Sequence, residues 1–328
     1  MAANEDPVQA QIRNIDQGLR ASLQNNFVFY HRLVDALLLA GRQACWAMPR
    51  HRQIADLSEI EFKVFSQWGE DGIIEWLVSH IDVPNRRFVE FGVESFQEAN
   101  CRFLMLNRNW RGFVMDGSEA NIAELRADPL FWKYDLATLS TFVTVENIDG
   151  LLEKAGFSGP LGVLSIDIDG NDYWVWKAIS AVSPAIVVCE FNAVLGNTRP
   201  IAVPYRAGFR RFDSHFSGLY FGCSLGALQH LANEKGYQFV GTNSHGVNAF
   251  FVRNDLAAPV LALLSERRAF PSRTRESRDA NGRLNYVRGY ARWEMIQHLP
   301  VVDVVTGEKL PIRDVGKPYT DDWLLEIS

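Results

Sequence analysis

The chain has 328 residues, of which 47% are hydrophobic and 22% charged, a composition that excludes an intrinsically disordered protein. Its net charge of −6 at pH 7 provides no basic surface, so we expect no nucleic-acid partner. Four cysteines without a CxxC pair argue against structural disulfides and a thiolate zinc site. No stretch has the order of a signal peptide or the length of a membrane span, so we expect a cytoplasmic protein without a membrane partner.

The N-terminal part is predicted to be helical. Residues 1–60 are expected to form a helical extension, because apolar residues such as Leu33, Val34, Leu37 and Leu38 recur at helical spacing. We expect this extension to pack either on the main domain or on a second subunit, and the second alternative would make the protein a homo-oligomer. A further helix is predicted to begin near Ser66, a residue type that suits an N-cap.

Residues 61–255 alternate short apolar runs with helical stretches, which predicts βαβ units and a parallel sheet covered on both faces. Towards the end of this range, a helix ends at Gly236. Two strands come after it and are close enough in sequence to pair as an antiparallel hairpin. We therefore predict an α/β, Rossmann-like fold, mostly parallel with an antiparallel strand at the end. Residues 256–328 show no clear period and are expected to form a C-terminal cap or tail. The five predicted strands are 87–93, 111–118, 142–148, 161–170 and 184–192.

In open α/β sheets, ligands bind beyond the carboxyl ends of the strands. The first strand ends at Glu90 and Gly92 without the three glycines of a dinucleotide site, and Glu94 and Glu98 would repel a pyrophosphate. A cofactor with a sulfonium and an ammonium group would instead be attracted. Asp116, 26 residues after Glu90, is placed to bind both ribose hydroxyls, although such an acid also serves as a turn or cap residue.

The strings SQWGEDGII, FVEFGVESFQEANCRFL, GFVMDGSEANIAEL and LSIDIDGNDYWVWKAI resemble the FkbM-type methyltransferases over residues 62–255. The resemblance implies S-adenosylmethionine as the methyl donor and a hydroxyl of a sugar or natural product as the acceptor. It also implies that Glu90 and Gly92 line the methionine moiety, that Asp116 binds the ribose, and that Gln67 and Asp71 close over the cofactor. The full predicted cofactor set is Gln67, Asp71, Glu90, Gly92, Asp116, Ser118 and Asp167.

A divalent cation site is predicted where the fourth and fifth strands end. Alternate residues of an extended chain share a face, so Asp167 with Asp169, and Glu190 with Asn192, project together. If the two strands are neighbours, these oxygen ligands suit Mg²⁺ or another hard cation, with Asp167, Glu190 and Asn192 as the predicted ligands. The first pair is similar to the strand-four motif of metal-dependent catechol and caffeoyl-coenzyme A O-methyltransferases. Alternatively, the aspartates contact the cofactor or cap a helix, and Glu190 is a general base.

The catalytic candidates are Asp169 and two loop histidines, His215 and His245, whose ordinary pKa suits proton transfer near neutral pH. The acceptor pocket is expected to form from residues 193–223 and 256–328. The basic, aromatic stretch at 272–292 is either a solvated cap or a lid over the substrate. The aromatic residues Tyr205, Tyr220 and Phe221 either form a wall of this pocket or anchor their loop.

The sequence thus predicts methyl transfer to a hydroxyl of a small molecule or glycan. The alternatives are N-methylation and a non-catalytic S-adenosylmethionine-binding module with a regulatory or scaffolding role. A nicotinamide-dependent dehydrogenase is disfavoured by the acidic, glycine-poor loop after the first strand.

Overall fold

The computed structural model describes residues 7–49 and 52–327 of the chain. The strands are β1 (Arg87–Phe91), β2 (Arg111–Asp116), β3 (Leu136–Ser140), β4 (Gly159–Ile166), β5 (Val182–Glu190), β6 (Ile201–Ala202), β7 (Tyr237–Thr242), β8 (Asn248–Arg253), β9 (Pro300–Asp303) and β10 (Lys309–Pro311). The helices are α1 (Pro7–Ala47), α2 (Glu70–His80), α3 (Arg102–Arg108), α4 (Glu119–Ala127), α5 (Pro129–Lys133), α6 (Ile148–Lys154), α7 (Asp172–Ala178), α8 (Arg211–Ser214), α9 (Leu225–Lys235), α10 (Ala258–Leu263), α11 (Tyr290–Ile296) and α12 (Asp321–Ile327).

Seven strands form one sheet in the order β3-β2-β1-β4-β5-β8-β7. Strands β1 to β5 run parallel to one another, and β8 runs antiparallel to both β5 and β7. The strand order reverses between β1 and β4, which is the point where α/β sheets open a crevice for ligands. The sheet confirms the predicted α/β, Rossmann-like fold, including the antiparallel hairpin and the left-handed Gly236 that ends α9.

Two hydrophobic layers cover the sheet, one on each face. Because side chains alternate along a strand, Val89 and Phe91 of β1 enter one layer and Phe88 enters the other. Helices α6, α7 and α9 contribute to the first layer, and α2 and α3 contribute to the second. Both faces of the central strands are therefore buried, as their near-continuous apolar sequence predicts.

Two predicted elements lie elsewhere in the structure. The third strand is Leu136–Ser140, and the apolar residues Phe142 and Val143 lie in the loop that follows it. The helix expected from Ser66 begins at Glu70, because the Ser66 hydroxyl accepts the backbone N–H of Asp71 and holds the chain in a loop before the first turn.

Most of the described part of the N-terminal extension is one helix of 41 residues, α1, whose later part approaches the second layer at Gly41. The tail joins the core through a second sheet of order β10-β9-β6, in which β9 pairs with β6 from the loop after β5. Within residues 7–49 and 52–327, no helix combines the length and the apolarity that crossing a bilayer requires. The predicted boundaries at residues 60 and 255 stay predictions.

Candidate functional site

Three adjoining cavities open at the carboxyl ends of the central strands. The first, of about 310 Å³, lies between the ends of β1, β2 and β4, and the second, of about 210 Å³, extends towards β5. The third, of about 120 Å³, continues under the tail. The first and second share Gly92 and Asp167 in their lining, and the second and third share Gln67, Glu190 and Arg211. Together they form one continuous space, which we call the cleft.

Gly92 brings the loop after β1 against the end of β4. Its φ of +73° is left-handed, and a Cβ built on it would lie 1.6 Å from the carbonyl oxygen of Asp167. Only glycine fits this conformation and this approach. Gly92 lines the cleft. However, the close neighbour that requires a glycine here is the carbonyl oxygen of Asp167 and not a ligand.

Glu90 lies beneath the second cavity and lines it. Its two carboxylate oxygens accept the backbone N–H groups of Asn100 and Cys101, at 2.7 and 3.0 Å, just before α3. Burial raises the pKa of Glu90 to about 7. The residue therefore positions the loop between β1 and α3 while it adds negative charge to the cavity.

Asp116 joins the loops after β1 and β2. One carboxylate oxygen accepts the backbone N–H of Glu94 at 2.8 Å, and the other accepts the N–H of Ser118 at 2.8 Å. A carboxylate offers about four acceptor positions, so Asp116, which lines the first cavity, keeps capacity for a ligand hydroxyl. Ser118 instead caps α4 by accepting the N–H of Asn121, and it lines none of the three cavities as described.

Gln67 and Asp71 have different roles. Gln67 lines the second and third cavities. Asp71 is buried, and its Oδ2 accepts the backbone N–H groups of Val64, Phe65 and Ser66 at 2.7 to 2.8 Å. Burial raises its pKa to about 6. The structure therefore places Asp71 behind the loop that presents Gln67, where it shapes that loop and does not contact the cleft.

A group of acids lies where β4 and β5 end. Asp167, Asp172 and Glu190 each offer one oxygen within 4.8 Å of the others, as the predicted adjacency of these strands requires. Burial and, after it, the charges of neighbouring carboxylates raise the pKa of both Asp167 and Glu190 well above the ordinary values. Asp172 accepts the N–H groups of Ile168 and Gly170 at 2.8 and 2.9 Å. Among the described atoms, Glu190 Oε2 is buried without a hydrogen-bond partner.

Asn192 is not part of this group. Its Nδ2 donates to the carbonyl oxygens of Leu219 and Phe221 at 2.9 and 3.0 Å, and its Oδ1 accepts the N–H of Val194 at 3.0 Å. Because loop backbone engages both ends of the amide, Asn192 is held away from a free ligand role, and its assignment as a metal ligand stays a prediction.

Asn248, on β8, is a polar residue that the sequence reasoning missed. It lies directly opposite Glu190 across the antiparallel pair of β5 and β8, and it lines the second cavity. Its Nδ2 donates to Glu70 at 3.0 Å, whereas its buried Oδ1 has no partner in the part of the chain that the structure describes. The sequence could have identified Asn248 if the strand predicted around it had been paired antiparallel with β5, because this pairing places Asn248 beside Glu190.

Of the three catalytic candidates, only Asp169 lines the cleft, where it forms a salt bridge of 2.9 Å with Arg211. His215 bonds to Ser217 through Nδ1, and burial lowers its pKa. His245 is exposed and stacks on the ring of Trp68 at 4.3 Å. Neither histidine belongs to the lining of the three cavities described above, so the structure places both outside the cleft.

The third cavity is lined by the two segments that were expected to form the acceptor pocket. Leu219 and Phe221 come from the loop after β5, and Ser272, Thr274 and Arg292 come from the tail. Two of the predicted aromatic residues act as loop anchors, as the second interpretation held. Tyr205 donates to Glu146 at 2.5 Å, and Tyr220 donates to the carbonyl oxygen of Pro300.

No protein-family model and no curated protein sequence matches the chain. Among solved structures, it is similar to an S-adenosylmethionine-dependent methyltransferase from Clostridium acetobutylicum ATCC 824, at 9% identity and a TM-score of 0.36, covering 56% of this chain and 90% of that one. A putative O-methyltransferase from Klebsiella pneumoniae matches at 12% identity and a TM-score of 0.36, covering 67% and 90%. The O-methyltransferase from Bacillus cereus in complex with SAH matches at 13% identity and a TM-score of 0.35, covering 67% and 89%. These likenesses are partial, so the fold assignment rests on the strand order of this chain, and the FkbM-type resemblance stays a prediction.

Proposed function

We propose that the protein is an S-adenosylmethionine-dependent methyltransferase that acts on a hydroxyl of a small molecule, sugar or natural product. The observation that carries the proposal is the excess of acidic side chains in the second cavity. Six of its lining residues are acidic and one, Arg211, is basic. A ligand with a sulfonium and an ammonium group favours the ionised form of buried acids and is stabilised by them, whereas a pyrophosphate is disfavoured beside them. The acidic residues are Glu90, Glu94, Glu98, Asp167, Asp169 and Glu190.

The three cavities suit three parts of the reaction. The first cavity offers Asp116 to the ribose hydroxyls and Phe142 to the adenine ring, the second holds the charged methionine moiety, and the third receives the acceptor. This order aligns donor and acceptor in the middle of the cleft, near Glu190 and Gln67, which line both the second and third cavities. Methyl transfer by direct displacement depends mainly on this alignment.

When bound, S-adenosylmethionine would supply a methyl carbon attached to a positively charged sulfur; an O–C bond forms as the C–S bond breaks, and the sulfur keeps the electron pair. The protein's part is to take the proton of the acceptor hydroxyl. Glu190 is placed for this step because its Oε2 is buried without a partner at the junction of the second and third cavities. Burial raises the pKa of Glu190, which makes its carboxylate a stronger proton acceptor.

The acidic cluster also fits a divalent cation. Asp167 and Glu190 are the ligands with oxygens that backbone amides do not occupy, and Asp172 completes the group within 4.8 Å. An all-oxygen set of this kind suits Mg²⁺ or Ca²⁺. Such an ion, when bound, would lower the pKa of an acceptor hydroxyl.

The test is release of S-adenosylhomocysteine from S-adenosylmethionine in the presence of hydroxylated acceptors, before and after EDTA treatment. Turnover with a hydroxylated acceptor supports the proposal. Turnover with amines alone contradicts O-methylation, and binding without turnover on any acceptor supports the non-catalytic alternative. Unchanged turnover after EDTA removes the cation from the mechanism.

A further inference from the structure

The tail places a buried guanidinium beside the cleft without an acidic partner. Arg292 of α11 is 5% exposed. Its Nη1 donates to the carbonyl oxygen of Thr274 at 2.7 Å and its Nη2 to that of Ser272 at 2.5 Å. Within residues 7–49 and 52–327, its Nε has no hydrogen-bond partner and the residue forms no salt bridge. A buried cation held only by neutral carbonyls is costly, and an anion would offset that cost.

Arg292 lines two cavities at once. One is the third cavity of the cleft, and the other is a neighbouring cavity of about 210 Å³ that we call the arginine cavity. The arginine cavity is lined by four arginines and one acid, Glu326. Its other lining residues are Ser272, Gly289 and Ile327, and its arginines are Arg273, Arg275, Arg288 and Arg292.

The single acid does not neutralise these cations. Glu326 already pairs with Arg268 at 3.1 Å, outside the cavity lining, and with Arg273 at 3.8 Å. Arg275 and Arg288 are exposed and form no salt bridge with any described residue. The arginine cavity is therefore positive, in contrast to the acidic second cavity, and the two are separated by the third cavity where the acceptor would lie.

We propose that the arginine cavity binds an oxyanion group, a carboxylate or a phosphate, carried by the methyl acceptor. Arg292 would reach the group from the cleft side, and Arg275 and Arg288 from the solvent side. Guanidinium groups suit this role because their planar donors match the geometry of carboxylate and phosphate oxygens. The statement about the acceptor rests on the proposed methyl transfer, whereas the anion site itself does not. This assignment gives a function to the basic stretch at 272–292.

The test is calorimetric titration of the whole protein with inorganic phosphate and with malonate, at constant ionic strength. We expect saturable binding of at least one probe, and a loss of about tenfold in affinity in both Arg275→Ala and Arg288→Ala, since each removes a charge-assisted interaction. The matched control is Arg283→Ala, an exposed arginine of the same stretch that lines neither cavity, and it should bind as the wild type does. Binding of phosphate alone assigns the site to a phosphate group, and binding of malonate alone assigns it to a carboxylate.

Absence of saturable binding of either probe would overturn the proposal, as would an equal loss in Arg283→Ala. Arg292→Lys should also weaken the probe, because an ammonium cannot keep both carbonyl bonds and the Nε donor. If that variant does not fold, the two exposed variants decide. Titration of the same proteins with S-adenosylmethionine separates the two proposals. Unchanged donor affinity in the arginine variants is expected, and failure of the wild type to bind the donor would refute methyl transfer while leaving the anion result intact.

Discussion

Asp167 and Glu190 lie side by side where the neighbouring parallel strands β4 and β5 end, and each has a carboxylate oxygen within 4.8 Å of the other's. Both carry a raised pKa because burial disfavours two adjacent negative charges. Such a pair holds a proton or a cation between its oxygens. In the proposed methyl transfer, this pair is the point in the cleft where the acceptor hydroxyl would give up its proton.

Glu190→Gln removes the carboxylate while keeping the shape of the side chain. We expect turnover to fall by about 10² to 10⁴, the usual contribution of a positioned base. Affinity for S-adenosylhomocysteine, measured by calorimetry, should fall far less than turnover, because this product lacks the sulfonium and Glu190 is one of six acids that line the second cavity. Glu276→Gln is the control, since Glu276 lines the third cavity but is exposed. Turnover of Glu190→Gln within twofold of the wild type would exclude Glu190 as the base.

Asp116→Asn should weaken the methyl donor. Replacing the carboxylate removes charge-assisted hydrogen bonds to the ribose, each of which contributes about 1.5–3 kcal/mol, so affinity is expected to fall at least tenfold. Glu119→Gln is the matched control and should bind normally, because Glu119 is an exposed acid at the first position of α4. Wild-type affinity in Asp116→Asn would show that the carboxylate serves only protein donors, namely the Glu94 and Ser118 backbone amides and the Asn121 side chain.

Gly92→Ala should destabilise the fold. The added Cβ meets the Asp167 carbonyl at 1.6 Å in a left-handed conformation, so we expect a loss of about 3 kcal/mol or more in the free energy of unfolding. Gly150→Ala is the contrasting control, because Gly150 lies in α6 with no described neighbouring atom within 4 Å of the added carbon. That variant should gain about 0.5–1 kcal/mol. Chemical denaturation measures both, and equal stabilities would contradict the close approach.

Asp71→Asn should change how stability depends on pH. The folded protein raises the pKa of Asp71 from 3.8 to about 6, so the native state binds the extra proton between these values. Relative to Asp71→Asn, the free energy of unfolding of the wild type is therefore greatest below about pH 4. It loses up to about 3 kcal/mol relative to the variant as the pH rises to 6, and the difference is constant above that. Denaturation curves at pH 4, 5, 6 and 7 check the sign. A pH-independent difference would show that Asp71 titrates normally.

The sequence predicted the sheet well where strands are buried on both faces, because their apolar runs are unambiguous. It failed for β3, an edge strand whose Leu136–Ser140 sequence is partly polar. The more apolar Phe142 and Val143 beside it belong to a loop that lines the first cavity. Hydrophobicity alone therefore shifted the predicted strand by several residues towards the C-terminus.

The sequence predicted which residues lie at the strand ends, but it did not predict the hydrogen-bond partners of their side chains. Strand adjacency brought Asp167 and Glu190 together, as their positions at the ends of β4 and β5 required. Asp71 and Asn192 were assigned to ligands because a sequence pattern does not show which backbone amides claim a side-chain oxygen. Arg292 comes from a tail without periodicity, and its place beside the cleft depends on the packing of that tail.

The central claim is that the acidic cleft binds a positively charged methyl donor. Calorimetric titration of the wild type with S-adenosylmethionine and, separately, with NAD tests it most directly. We predict saturable binding of S-adenosylmethionine and none of NAD. Saturable binding of NAD without binding of S-adenosylmethionine would contradict the claim.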